Sequence, residues 1–258
     1  MTSILKDIDT NFHLHACKIP DQTAGMKVTH LENLTYVDSG LSCDTFNIIH
    51  IIRGSKLTKE EVTDAVGYFR QRNLAFCVWA SKENLTNNVK HYFEDLSLSK
   101  QNEEIGMVLD LEVRQPMERK SNNNIVIVDS KKLTLDYAQV IAKNWTPSDK
   151  NVLKYYEMTC HSYLNKSNKI WLLVYYHKGQ PVSTVELFPT DDRTIGLYGF
   201  ATLSAYRGRG IGSSLMTFAL SKVKELGYLQ AILQASGDGI GIYRKFGFKD
   251  QISYFEYV

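Results

Sequence analysis

The stretch Leu203-Ser204-Ala205-Tyr206-Arg207-Gly208-Arg209-Gly210-Ile211-Gly212-Ser213-Ser214-Leu215 decides the reading of this chain. It follows an apolar run, Thr194 to Leu203, that reads as a strand. It opens a helix expected over Ile211 to Leu226, with Ile211, Leu215, Phe218, Ala219, Val223 and Leu226 on one face. Three glycines alternate within five residues, so backbone N–H groups can converge on an anion with no Cβ in the way. The positive end of the helix dipole points at the same place, and Arg207 and Arg209 add charge beside it. Strand, glycine turn and helix together make a phosphate or pyrophosphate cradle.

Two other glycine loops are excluded by spacing. A Walker A loop ends in Gly-Lys-Ser/Thr, and Gly212-Ser213-Ser214 has no lysine. A dinucleotide fingerprint needs glycine three positions after Gly212, where Leu215 stands, and it expects an early βαβ unit.

Outward from the loop, the chain alternates strands and helices. Downstream, Leu229 to Ala235 is expected as a strand, Ile240 to Phe246 as a short helix, and Tyr254 to Val258 within a last strand. Upstream, Ile170 to Tyr176 and Pro181 to Phe188 form a hairpin. Before it come helices at Leu133 to Asn144 and Asn151 to Leu164 and a strand at Ile125 to Val128. The polar stretch Arg114-Gln115-Pro116 and Glu118 to Asn124 is expected as a linker. Ahead of it lie strands at Phe46 to Ile52, Leu74 to Ala80 and Ile105 to Leu111. The helices there begin at Thr58, with a Thr58–Glu61 capping box, and at Thr86. The first 45 or so residues show no sustained periodicity.

The fold class is therefore mixed α/β, with domains expected at 1–120 and 121–258. A weak echo links the halves. Each runs helix, strand, helix with a tyrosine (Tyr92, Tyr243), strand, and Ser81 aligns with Ser236.

Composition removes whole classes of function. A net charge of +2 over 258 residues gives no basic excess for a nucleic-acid backbone. The apolar run Trp171 to Tyr176 is far short of the ~20 residues of a spanning helix, so no membrane is expected. Cys17, Cys43, Cys77 and Cys160 lie far apart, which fits a reducing cytoplasm, and the N-terminus has no secretory pattern. The sequons at Asn33 and Asn84 are expected to be fortuitous. His13 and His15 form an H-x-H pair with no third ligand near in sequence, so no metal is expected.

Arg207-Gly208-Arg209-Gly210-Ile211-Gly212 resembles R/Q-x-x-G-x-G/A, the acyl-CoA pyrophosphate loop of the GNAT superfamily of N-acetyltransferases. Leu197 to Leu203 resembles that family's splayed fourth strand. Gln234-Ala235-Ser236 and Ile242-Tyr243-Arg244-Lys245-Phe246-Gly247-Phe248 resemble its fifth strand and the helix ending in Y-x-x-x-G-F. The likeness covers about residues 125 to 258. More weakly, the part before Pro116 resembles the degenerate first half of tandem members, which implies two GNAT-like halves, each a mixed sheet flanked by helices.

The resemblance implies acetyl-CoA as co-substrate and an amine-bearing acceptor, small molecule or peptide. Amides from Gly208 through Ser213, including Gly210, Ile211 and Gly212, would hold the pyrophosphate beside Arg207 and Arg209. Main-chain groups of Phe200, Ala201 and Thr202 would pair with the pantetheine arm, and an amide near Phe200 would polarise the carbonyl, a role typically contributing ~3 kcal/mol. Ser236 would touch the cofactor, and Tyr243, with a reference pKa of ~10, would protonate the leaving thiolate.

The base stays open. Many members carry a glutamate eleven residues before Arg207, where this chain has Gly196. Glu186 is the nearest carboxylate in sequence, with an exposed strand glutamate as the competing reading; Tyr198, Tyr206, His177 and a water chain are further choices. A non-catalytic acyl-CoA-binding sensor and, more distantly, a nucleotide-binding protein are the alternatives.

Overall fold

The computed structural model describes residues 3–112 and 122–258. Along the chain its elements are α1 (Ser3–Lys18), β1 (Lys27–His30), β2 (Leu34–Asp38), β3 (Ile48–Ile51), α2 (Lys59–Gln71), β4 (Cys77–Ser81), α3 (Asn87–Asp95) and β5 (Lys100–Asp110). They continue with β6 (Ile125–Ile127), α4 (Lys131–Ala142), α5 (Lys150–Leu164), β7 (Trp171–His177), β8 (Gln180–Pro189) and β9 (Thr194–Thr202). The last four are α6 (Ile211–Glu225), β10 (Gln230–Ala235), α7 (Ile240–Lys245) and β11 (Lys249–Tyr257). The expected mixed α/β architecture is what forms, with mixed sheets flanked by helices.

The first 45 residues, which show no sustained periodicity in sequence, form α1, β1 and β2. Helix α1 buries Ile8, Phe12 and Cys17, yet it also buries Asp9 and Asn11. Those two polar side chains interrupt the apolar stripe that marks a helix in sequence. Asp9 is satisfied by partners distant in the chain: it accepts from Tyr254 Oη at 3.2 Å and lies 3.4 Å from His50 Nε2.

Residues group into two compact units whose boundaries differ from a single division near 120. One comprises Met1–Met107, Gln234–Tyr243 and Asp250–Val258; the other comprises Val108–Leu233 and Arg244–Lys249. In the first, the strand order is β1-β2-β3-β4-β11-β5. Here β3 and β4 run parallel, and β11 returns antiparallel to β4 with Tyr254 opposite Ser81. Helices α2 and α3 bury Val62, Ala65, Val66, Phe69, Val89 and Phe93 against Ile49, Ile51, Val78 and Ala80. The Thr58–Glu61 capping box forms as expected, and Glu61 also accepts from Asn33 Nδ2. Asn33 and Asn84 are 8% and 6% exposed, so neither sequon is open to a glycan in the folded chain.

In the second unit the order is β6-β7-β8-β9-β10, the end of β5 following β10. Strands β6 to β9 are antiparallel neighbours, whereas β9 and β10 run parallel. The expected linker at 114–116 and 118–121 lies outside the described residues. Its asparagines beyond that point do structural work: Asn122 Nδ2 donates to Ser214 Oγ at 2.9 Å, and Asn124 Nδ2 reaches Tyr175 Oη at 3.4 Å.

The echo between the halves exists as element order. α2-β4-α3-β5 is repeated by α6-β10-α7-β11, and Ser81 ends β4 where Ser236 directly follows β10.

Candidate active site

The loop ahead of α6 is built on two left-handed glycines. Gly208 has φ +72° and Gly210 φ +76°, a region that costs a residue with a Cβ about 1 kcal/mol or more. No protein atom lies within 4 Å of where either Cβ would be, so both glycines border open space. Gly210 is the N-cap of α6 and gives it no side-chain cap, and no acidic residue occupies the first turn. The first amides of α6 are therefore donors carrying the positive end of the dipole, with no side chain of their own cap satisfying them.

The two arginines differ in what they do. Arg207 braces the loop: its Nε donates to Thr202 O at 2.9 Å and its Nη2 to Asn144 Oδ1 at 3.2 Å, just past the end of α4. Arg209 lies over the Tyr206 ring, 5.5 Å from its centroid. Tyr206 is held in turn by an edge contact with His177 and a 3.1 Å bond to Gln180 Oε1.

Upstream of the loop, β9 changes character halfway. Thr194 to Leu197 are buried, while Tyr198 to Thr202 are half-buried apart from Gly199, which is exposed. Its parallel pairing with β10 runs from Thr194 to Gly196, and there the register ends. On the other side β9 pairs with β8, but Thr184 faces Ala201 while Glu186 faces Tyr198, so Val185 spans Gly199 and Phe200. This is a β-bulge with glycine in its left-handed position, at φ +53°. A Cβ at Gly199 would collide with the Tyr137 hydroxyl. The bulge is fastened from β8, where Thr184 Oγ1 donates to Gly199 O at 2.9 Å and Ser183 Oγ to Ala201 O at 2.6 Å. Phe200, Ala201 and Thr202 thus sit just past a parting of two parallel strands. Carbonyl 201 accepts from Ser183 Oγ and carbonyl 202 from Arg207 Nε.

Glu186 is not an exposed strand glutamate: it is 1% exposed on β8. Around it stand tyrosines from α4 and α5. Burial first and the Glu186 carboxylate second raise the Tyr155, Tyr156 and Tyr163 hydroxyls above their ordinary range. At Tyr137 burial leads, then Tyr156, then Glu186. All four rings pack around Tyr156, which lies 5.2 Å from Tyr137, 5.6 Å from Tyr155 and 5.3 Å from Tyr163. From sequence, Tyr155, Tyr156 and Tyr163 at helical spacing read as core packing by default, with a wall of the acceptor site as the alternative that the family resemblance implies.

Ser236 and Tyr243 belong to the first unit. Tyr243 is 7% exposed on α7, and burial, followed by the Glu104 carboxylate, raises its hydroxyl well above the usual phenol value. Gly239 is explained by this tyrosine: a Cβ there would stand 3.1 Å from Tyr243 Cε2 and 3.5 Å from Ser236 Oγ. Of the three glycines ahead of Tyr243, only Gly241 lies within α7. Glu104, which the sequence did not single out, sits on β5 with its carboxyl raised to about 7 by burial and by Glu256 on the neighbouring β11. Also missed was a third partner for His13. The structure brings it Cys17 and His30, and not His15.

The sequence matches the acetyltransferase (GNAT) family over residues 136–248. The fold is similar to a GCN5-related N-acetyltransferase from Kribbella flavida, with a TM-score of 0.67 at 13% identity over 96% of this chain and 94% of that one. It is also similar to a functionally unknown conserved protein from Staphylococcus epidermidis, with a TM-score of 0.64 at 18% identity over 92% and 95%. A tandem GNAT protein from the clavulanic acid biosynthesis pathway superposes with a TM-score of 0.60 at 9% identity over 91% and 83%.

Proposed function

We propose that this chain, whose residues 136–248 match the acetyltransferase (GNAT) family, transfers an acetyl group from acetyl-CoA to a primary amine. The observation that carries the reading is the loop Arg207 to Ser213, with two left-handed glycines bordering open space and a helix start free of acidic side chains. Such a turn fits a pyrophosphate. Acetyl-CoA supplies an activated thioester: the amine nitrogen forms a bond to its carbonyl carbon, the C–S bond breaks, and the thiolate leaves with the electron pair.

The chain's own groups supply the rest. Amides of Gly208 to Ser213 hold the pyrophosphate, with Arg209 adding charge and Arg207 holding the loop's shape. Main-chain groups of Phe200, Ala201 and Thr202 receive the pantetheine arm where β9 and β10 part, and an amide at Phe200 polarises the thioester oxygen. Tyr243 gives its proton to the thiolate; burial keeps the hydroxyl protonated, while the same upward shift makes it a weaker acid than a free phenol. Ser236, directly after β10, is our further cofactor contact. Glu186 is our candidate base. At 1% exposure it can take the amine's proton only through an intervening hydroxyl or water. Residues 1–120 are proposed as a degenerate GNAT-like half and 121–258 as the catalytic part. Widely spaced cysteines that form no disulfide support a cytoplasmic location, and among the described residues no helix is long and apolar enough to cross a membrane.

One observation favours a second reading. Gly196 occupies the position where many family members carry a glutamate, which fits an acyl-CoA sensor that has lost its chemistry. The deciding experiment is a screen of acetyl-CoA against polyamines, amino acids, aminoglycosides and peptide N-termini, read by mass spectrometry of the N-acetylated product. One strong acceptor establishes the enzyme. Tight CoA binding with no product from any class establishes the sensor, and loss of CoA binding altogether removes both.

A further inference from the structure

We propose that His13, Cys17 and His30 form a zinc site that ties α1 to β1, independent of the acyl-transfer chemistry. His13 and Cys17 are four residues apart on α1 and so share one face of that helix. His30 is the last residue of β1. One ligand atom from each of the three lies within 4.8 Å of the others. Tetrahedral zinc, with bonds of about 2.1 Å to nitrogen and 2.3 Å to sulfur, requires donor atoms roughly 3.5 Å apart. Small rotations of the side chains close that difference, and His30, which is exposed, has room to make them.

One donor atom also lacks a partner. His13 Nδ1 is buried and has no hydrogen-bond partner among the described residues. A buried polar atom of this kind is costly unless something satisfies it. His13 stands among histidines, its ring centroid 5.8 Å from those of both His30 and His50. One thiolate and two imidazoles are borderline-soft donors and select zinc over magnesium or calcium. Cys17 binds as thiolate, its proton passing to water as the metal–sulfur bond forms. Asp21 lies 3.6 Å from His30 Nε2 and Thr35 Oγ1 3.5 Å from its Nδ1, so whichever nitrogen ligates, an outer polar group faces the other; a water would complete the tetrahedron.

The test is metal titration of the full-length, tag-free chain after chelator treatment. One equivalent of Co²⁺ is expected to give tetrahedral visible bands and a near-ultraviolet thiolate charge-transfer band, both displaced by Zn²⁺. Cys17→Ser should remove the thiolate band. His30→Gln, made at an exposed position, keeps the fold in question separate from the site. It should weaken Zn²⁺ binding by about 100-fold or more and abolish the rise in melting temperature that Zn²⁺ gives the parent. His15→Ala should bind as the parent does. Cobalt absorbance with no thiolate band, or His30→Gln binding as tightly as the parent, overturns the proposal.

Discussion

The guanidinium of Arg207 ties the end of β9 to the loop that follows it: Nε donates to Thr202 O at 2.9 Å while Nη2 reaches Asn144 at 3.2 Å. Two donors in fixed relative directions are a property of arginine and not of lysine. Arg207→Lys should therefore keep the charge and lose the brace. We expect acetyl-CoA to bind about tenfold more weakly, equivalent to ~1.4 kcal/mol, with the melting temperature little changed. Isothermal titration with CoA measures this, and an unchanged affinity would make Arg207 a bystander.

Gly210 separates backbone need from space. Its φ of +76° penalises any Cβ, and the surrounding volume is empty of protein atoms. Asparagine tolerates the left-handed region and valine does not. Gly210→Asn should keep the melting temperature within a few degrees. It should still lose CoA affinity if the cofactor occupies the empty volume. Gly210→Val should lose both. Tight CoA binding by either variant contradicts the cradle.

What the sequence made legible was local. Alternating glycines before an amphipathic helix state a turn, a dipole and a bare helix start within about twelve residues, and the Thr58–Glu61 box does the same for α2. Glu186 could not be read this way. All eight residues from Val182 to Pro189 are buried, so β8 offers no polar alternation, and the burial of its carboxylate depends on tyrosines of α4 and α5 distant in sequence. Helix α1 was hidden by the polar residues Asp9 and Asn11, and the burial of Asp9 makes sense only once His50 and Tyr254 are beside it. The place of β11 next to β4 is likewise a pairing across more than 150 residues, which no local pattern encodes.

Tyr243 offers a prediction about proton transfer. Burial, then Glu104, hold its hydroxyl above the ordinary phenol value, so it stays protonated across the assay range. Tyr243→Phe should lower kcat by about 100-fold and leave acetyl-CoA affinity unchanged. No alkaline loss of rate from this group is expected up to pH 9 in the parent. Unchanged turnover with the best acceptor would remove the assignment.

Glu104 should make stability depend on pH. Its folded-state pKa of about 7 lies above the ordinary carboxylate value, burial leading and Glu256 following. The folded chain therefore holds this proton more tightly than the unfolded one. The resulting stability is complete below about pH 4.5 and is lost as the pH rises through about 7. Glu104→Gln removes the charge permanently. It should raise the unfolding free energy above pH 7, by at most about 3 kcal/mol because the site is partly accessible, with no gain near pH 4.5. Melting curves of parent and variant at pH 4.5 and 8 decide it. Parallel shifts at both pH values would place the effect elsewhere.

Gly199 and Tyr137 should be energetically coupled. A Cβ at position 199 meets the Tyr137 hydroxyl, and the backbone there is left-handed at φ +53°. Gly199→Ala therefore carries two separable costs. Backbone strain is about 1 kcal/mol or more, and the collision adds about 1–3 kcal/mol if the ring cannot move, since Tyr137 is fully buried. Tyr137→Phe deletes only the colliding oxygen. In a double-mutant cycle followed by denaturant unfolding, Gly199→Ala should cost less in the Tyr137→Phe background than in the parent, leaving the strain behind. If the bulge positions the pantetheine arm, acetyl-CoA affinity should follow the same pattern, falling in the single variant and partly recovering in the double. Additive stability changes would show that the hydroxyl does not support the bulge.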